Sequence, residues 1–433
     1  MKRVVVVGAG LSGLVTSTAL AKAGFGVSCV TFGVGGLPLS PGVVDVFGGS
    51  VREAGSSRPE HTDTVLDARS GWSVATAGVS AGASSNLLPS AIPPLLRFAP
   101  DRLLAPSSYF VRRGLELLLE LAGRDLLVGD ADTNIMLSTA VGGWRPTCLY
   151  PPSMAPGDSG GPAVIVGFKR LRDFYAELIA GNCGARAAMV DVVARAGEVA
   201  SSPMVFARFF DTDPGRRALV SALRDVVSDS ETVGLPAVLG LDDLTAWRKV
   251  EDALGHPVFE IPFAPPSVPG WRLNNALVRS AQLAGVRFMR GVKAVGVEQA
   301  DGRATGVVIT SAGHPTTLPA DAVVLATGGL KSGGIVMDDH QCFTEPVMGL
   351  PLANIPEAPF VGDVFAPQPA FLVGVQVDAA MHPLDDGDNI VCGNIHVVGG
   401  LIGGSDRVHE LTSGGIDIGS AVAAADAIEG ELS

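Results

Sequence analysis

Residues 4–13, VVVVGAGLSG, leave the chain few options: a buried strand that turns on glycine into a helix. Gly8 permits the tight turn, Gly10 removes the Cβ that would hold an anion away from the main chain, and Gly13 lets the helix pack on the strand. The first free N–H groups of the helix then face the anion. A G-x-G-x-x-G pattern alone is weak in a chain with 55 glycines. Here the preceding run is all valine, Leu14, Val15, Ala19 and Ala23 follow a helical spacing, and Gly24 is placed to end the helix. The stretch predicts a nucleotide-phosphate loop; the competing reading is an inherited strand–turn–helix with no ligand.

At 433 residues the chain has room for two or three domains of roughly 100–200 residues each. A net charge of −13, from 31 basic and 44 acidic residues, argues against nucleic acid and against direct binding to an anionic membrane surface. Charged residues make up only 17%, which implies a large buried sheet or a broad protein interface. No apolar run approaches the ~20 residues of a membrane span, and the glycine loop begins where a signal peptide would lie. A cytoplasmic chain is expected. Cys29, Cys148, Cys183, Cys342 and Cys392 stand singly, so any iron–sulfur cluster belongs to a partner. The seven histidines are dispersed without zinc-site spacing, and no metal is expected.

A second strand at 27–31 completes the opening βαβ pattern. It ends on Thr31, where dinucleotide folds usually place an acidic residue for the ribose. Residues 33–45 suit a loop over a cofactor and equally an ordinary connection, and 51–106 read as loops and short elements. Ser107 is a candidate cap for a helix through Leu115, Leu118, Leu119 and Leu121. Residues 151–162 are turn-rich. Helices are expected at 171–180, 214–227 and 242–254, with strand-like runs at 237–239 and 258–261. Together, 51–270 read as an inserted α+β domain.

The final third predicts a helix at 273–284, a strand at 286–289 and a hairpin turning at Asp301 and Gly302. DAVVLATGG (321–329) is a buried strand ending in Thr327, Gly328 and Gly329. NIHVVGGLIGG (394–404) brings Gly399 and Gly400, and a closing helix of small residues begins near Gly414 and Gly415. That helix N-terminus is suited to negative charge on a reduced ring. Residues 1–50 and 271–433 form one discontinuous nucleotide domain. The expected fold class is α/β and Rossmann-like, and the likeness described next implies the FAD/NAD(P)-binding fold of the flavoprotein type.

Three glycine elements in this order look like a two-dinucleotide-binding flavoprotein. More closely, nearly the whole chain resembles the B-subunit family of anaerobic glycerol-3-phosphate dehydrogenase. The likeness rests on the first glycine loop, Ser40, Gly42 and Asp45, Gly142 with Arg145 and Thr147, and LPAVLGLDD (235–243). It continues through PPSVPGWRLNNAL (265–277), SGG (332–334), EPVMGL (345–350) and FAPQP (365–369). The resemblance implies a flavin subunit of a multi-protein complex. In that complex a catalytic flavoprotein partner oxidises sn-glycerol 3-phosphate to dihydroxyacetone phosphate, and an iron–sulfur subunit at the membrane passes electrons to quinone. It implies FMN, whereas the motif alone suggests FAD; Thr31 suits FMN, which has no adenosine ribose. The chain would then lie on the cytoplasmic face of the membrane through a partner.

The expected cofactor residues are Gly8, Ala9, Gly10, Leu11, Ser12, Gly13, Thr31, Ser40, Gly42, Thr327, Gly328, Gly329, Gly399, Gly400, Gly414 and Gly415. Arg145 is a candidate phosphate clamp or one half of a structural ion pair. His409, His396 and Asp406 are candidate bases near the C-terminal glycine loop, and none stands out. The lack of a clear base suits a subunit that relays electrons. Two other readings stay open: a self-sufficient oxidoreductase of the fumarate-reductase type, and a non-catalytic assembly subunit without its cofactor.

Overall fold

The computed structural model describes residues 1–46, 50–52, 108–155, 162–311, 313–407 and 413–433. Strand β1 (Arg3–Val7), helix α1 (Leu11–Lys22) and strand β2 (Gly26–Thr31) form the opening unit. Val4 to Val7 are all buried, as a strand covered on both faces must be. Helix α2 (Ser108–Ala122) buries Leu115, Leu118 and Leu121. The expected cap, Ser107, and most of 51–106 lie outside the described residues.

Next comes a second parallel sheet. Its elements are β3 (Ala163–Phe168), α3 (Ala176–Cys183), β4 (Arg186–Val190), α4 (Pro203–Phe210), α5 (Asp213–Arg224), β5 (Thr232–Pro236), α6 (Ala246–Leu254) and β6 (Val258–Ile261). The strand order is β6-β5-β3-β4 and every pairing is parallel. The insertion's main sheet is therefore of α/β type rather than α+β. Residues 237–239, expected as a strand, form the turn after β5, because the strand proper is Thr232–Pro236. The helix expected at 171–180 starts at Ala176.

Helix α7 (Val268–Leu283) returns the chain to the first sheet through β7 (Arg287–Arg290). An antiparallel meander follows, β8 (Lys293–Ala300), β9 (Arg303–Ser311) and β10 (His314–Pro319). Its first turn has positive φ at Asp301 (51°) and Gly302 (73°), the geometry of a two-residue hairpin. Then come β11 (Ala322–Leu325), β12 (Ile395–Val397) and helix α8 (Ser413–Leu432). The first sheet has the order β7-β2-β1-β11-β12, all parallel. Its order reverses between β1 and β11, which opens a crevice at the carboxyl ends of those two strands.

Each sheet has its own core. The second core collects residues from Val164 to Val268, whereas Leu115, Leu118, Leu126, Leu127 and Leu149 pack into the first. The separately packed unit is thus narrower than 51–270. A buried polar joint ties the two. Arg272 of α7 donates to Glu260 of β6 at 2.7 and 3.1 Å and to the Gly240 carbonyl at 2.7 Å. Glu260 also accepts from Ser153 Oγ at 2.6 Å and the Leu239 N–H at 2.7 Å.

Candidate functional site

At the crevice, the Gly8 N–H donates to the Val30 carbonyl and the Ala326 N–H to the Val7 carbonyl, both at 2.8 Å. These bonds lock the ends of β1, β2 and β11 together. Gly8 has φ +115°, and any Cβ there would overlap the Ala326 carbonyl oxygen. Gly13 sits as tightly on the Gly8 carbonyl. Gly10 differs: no protein atom lies within 4 Å of where its Cβ would be. The N–H groups of Ala9 to Gly13 have no hydrogen-bond partner among the described residues.

The later glycines close on the same place. A Cβ on Gly329 would stand 2.6 Å from the Gly400 carbonyl oxygen, and one on Gly399 would overlap the Ser12 side chain. The segments around Gly10, Gly328 and Gly400 are therefore neighbours in space. Thr327 Oγ1 is buried there without a hydrogen-bond partner. Burying a lone hydroxyl costs about 1–3 kcal/mol unless a ligand or water completes it. Open approach at Gly10, five unpaired amides and this hydroxyl fit a bound flavin phosphate.

Beside the cleft the start of α8 meets the loop after β2. Gly414 packs on Asp45, and the Gly415 N–H donates to the Asp45 carbonyl at 3.1 Å. Gly415 thus spends its N–H within the protein, so packing accounts for this glycine pair. The Asp45 carboxylate is buried; it accepts from Arg145 Nε at 2.8 Å, from Arg145 Nη2 and from Thr147 Oγ1 at 3.3 Å. Burial pushes the Asp45 carboxyl above its usual range, and Arg145 and Thr147 pull against that. Of its two sequence readings, Arg145 takes the ion pair.

Thr31 Oγ1 donates to the Gly33 carbonyl. Ser40 Oγ donates to the Leu37 carbonyl at 2.8 Å, and Gly42 packs on Pro269, so this part of the loop is shaped by α7. Asp406 is buried. His409 lies outside the described residues. His396 is corrected: its Nδ1 lies 2.9 Å from the Ala380 carbonyl and its Nε2 faces Glu431 in the last turn of α8. Roughly 25 Å of helix separates that turn from Gly414.

Sequence reasoning missed Arg407 and Asp417. Arg407 bonds Asp417 at 2.7 Å and the Gly399 carbonyl at 2.6 Å, which clamps the C-terminal glycine loop to α8. Asp45 carried the family likeness without a role, since a partner 100 residues away leaves no local signal.

Burial pushes the Cys29 and Cys148 thiols up to about 12, so both stay protonated. No helix among the described residues is long and apolar enough to cross a membrane.

A family model described as an FAD binding domain matches residues 3–416. A Halobacterium salinarum protein named as a probable B subunit of anaerobic glycerol-3-phosphate dehydrogenase is 30% identical, over 98% of this chain and 97% of its own. The B subunit of the anaerobic glycerol-3-phosphate dehydrogenase of Yersinia pestis bv. Antiqua is 26% identical, over 99% and 98%. A solved structure, 3-ketosteroid-delta4-(5alpha)-dehydrogenase from Rhodococcus jostii RHA1, aligns at 12% identity and a TM-score of 0.35, over 99% of this chain and 96% of that one.

Proposed function

Because this chain belongs to the FAD-binding-domain family, and within it to the B-subunit family of anaerobic glycerol-3-phosphate dehydrogenase, we propose that it is the flavin-holding oxidoreductase subunit of such a complex. The complex oxidises the C2 hydroxyl of sn-glycerol 3-phosphate to the carbonyl of dihydroxyacetone phosphate. Two electrons leave through an iron–sulfur partner to quinone. A bound flavin supplies the two-electron chemistry.

The protein's own part is to hold and orient. The observation that carries the reading is the row of unpaired amides from Ala9 to Gly13 at the switch point of the first sheet. Those amides take the phosphate, Thr327 Oγ1 completes its hydrogen bonding against the ligand, and Arg407 with Asp417 holds the Gly399 loop beside them. Thr31 spends its hydroxyl on Gly33, and no carboxylate ends β2, which favours FMN over FAD.

Asp45 and Asp417, the carboxylates characterised beside the cleft, are both ion-paired, to Arg145 and Arg407. Neither is a ready base for the substrate hydroxyl. This supports a division of labour in which a catalytic partner takes the substrate proton and this chain relays electrons. Membrane association would run through the iron–sulfur partner.

An absorbance spectrum and the mass of the released cofactor, from the chain purified alone and with its partners, test the proposal. The expected result is a yellow protein releasing FMN, with sn-glycerol 3-phosphate turnover only in the complex. Turnover by the isolated chain would overturn the relay role, and a colourless chain that takes up no flavin would overturn the function.

A further inference from the structure

Near the far end of α8 from the glycine cleft, three side chains that are distant in sequence converge. Donor atoms of His382, His396 and Glu431 all lie within 4.8 Å of one another. His396, on β12, is fully buried, His382 nearly so, and the Glu431 side chain is 30% exposed.

Both rings are anchored through Nδ1. His382 Nδ1 lies 2.9 Å from Asp378 Oδ2, and His396 Nδ1 lies 2.9 Å from the Ala380 carbonyl oxygen. An acceptor at that position holds the ring proton on Nδ1, so each neutral ring presents a lone pair at Nε2. Both Nε2 atoms are buried, and with the ring proton on Nδ1 neither has a hydrogen to give the carboxylate it faces. They face the Glu431 carboxylate at 3.0 and 3.5 Å. Two lone pairs and an anion aimed at one point lack a positive charge between them.

We propose that this is a binding site for a divalent transition cation of the zinc class, held by His382 Nε2, His396 Nε2 and the Glu431 carboxylate. Donors around a tetrahedral zinc ion stand about 3.3 Å apart, close to the nitrogen–oxygen distances here. Two imidazoles with one carboxylate suit zinc better than magnesium or calcium, which take oxygen ligands. Asp378 stands behind His382 as the carboxylate that commonly orients a metal-bound histidine. The ring centroids stand 4.7 Å apart, so the two imidazoles converge on one point. Water takes the fourth position on the exposed side of Glu431. The ion's work is structural: it ties the last turn of α8 to β12 and to the turn at 378–382, and so steadies the helix whose first turn borders the glycine cleft.

The test uses the full-length protein, stripped with a chelator and titrated with Zn²⁺. One equivalent is expected to bind and to raise the melting temperature. Glu431→Gln and His382→Asn, checked for folding by circular dichroism, should each weaken zinc binding by about tenfold or more. X-ray absorption at the zinc edge should show two imidazoles. Failure of the stripped protein to bind zinc, or equal zinc binding by the wild type and both variants, would overturn the site.

Discussion

The two parallel sheets share a plan and differ in what their carboxyl ends leave unpaired. Each reverses strand order once, between β1 and β11 in the first and between β3 and β5 in the second. Such reversals open crevices where ligands bind. At the first, five consecutive amides lack partners and Gly10 faces open space. At the second, every amide from Ala237 to Gly240 is bonded to a backbone carbonyl or to Glu260. The next three, of Leu241, Asp242 and Asp243, donate to a single oxygen of Asp211 at 2.9–3.0 Å. Topology alone therefore does not make a site. The second crevice has been turned into a joint, and LPAVLGLDD, prominent in the family likeness, is the segment that fills it.

Substitutions that read one sheet and spare the other can break this contrast. The largest effect is expected from Gly8→Val, which drives a branched side chain into the Ala326 carbonyl at a positive φ; a loss above about 4 kcal/mol should appear as insoluble protein. Next is Arg272→Met, which strands the fully buried Glu260. It should cost about 3–5 kcal/mol in urea unfolding and leave the flavin affinity of the folded fraction unchanged. A change in affinity would mean that the second sheet takes part in the site.

Arg145→Met comes third. The arginine is 37% exposed, so solvent already weakens the pair, and the expected loss at pH 7 is about 1–2 kcal/mol. The carboxyl of Asp45 lies above its usual range, so ionising it opposes folding: its contribution is complete below the unfolded value of about 3.9 and is lost as pH rises through the folded value. Removing Arg145 raises that folded value further. The deficit of the variant should shrink as pH falls, and Asp45→Asn in the same background should recover most of it at pH 7. A deficit that persists in acid would contradict the pairing. The smallest effect on stability belongs to Gly10→Ala, within about 0.5 kcal/mol by thermal melting, because nothing in the protein meets the new methyl. Its flavin affinity should nonetheless fall about tenfold, or about 1.4 kcal/mol.

The contrast also explains what the sequence could disclose. Gly8, Gly13, Gly329 and Gly400 stand out in the sequence because glycine at close backbone approaches leaves a spacing that few other structures need. Strand β3 was missed because a doubly buried strand is a short continuous apolar run, which periodicity cannot tell from a buried helix. Alanine-rich β4 gave even less signal. The pairs Asp45 with Arg145, Glu260 with Arg272 and Asp417 with Arg407 arise from tertiary contact, so no local spacing encodes them. His396 was placed near the cleft because it precedes Gly399 in sequence, but its ring is turned toward the far end of α8.

Native mass spectrometry of the purified chain tests the central claim most directly, by counting flavin bound to the wild type and to Gly10→Ala at matched protein and flavin concentrations. The account predicts one phosphorylated flavin per wild-type chain and depleted occupancy in an equally folded variant. A wild type that takes up neither FMN nor FAD, or equal occupancy in the two proteins at subsaturating flavin, would contradict it.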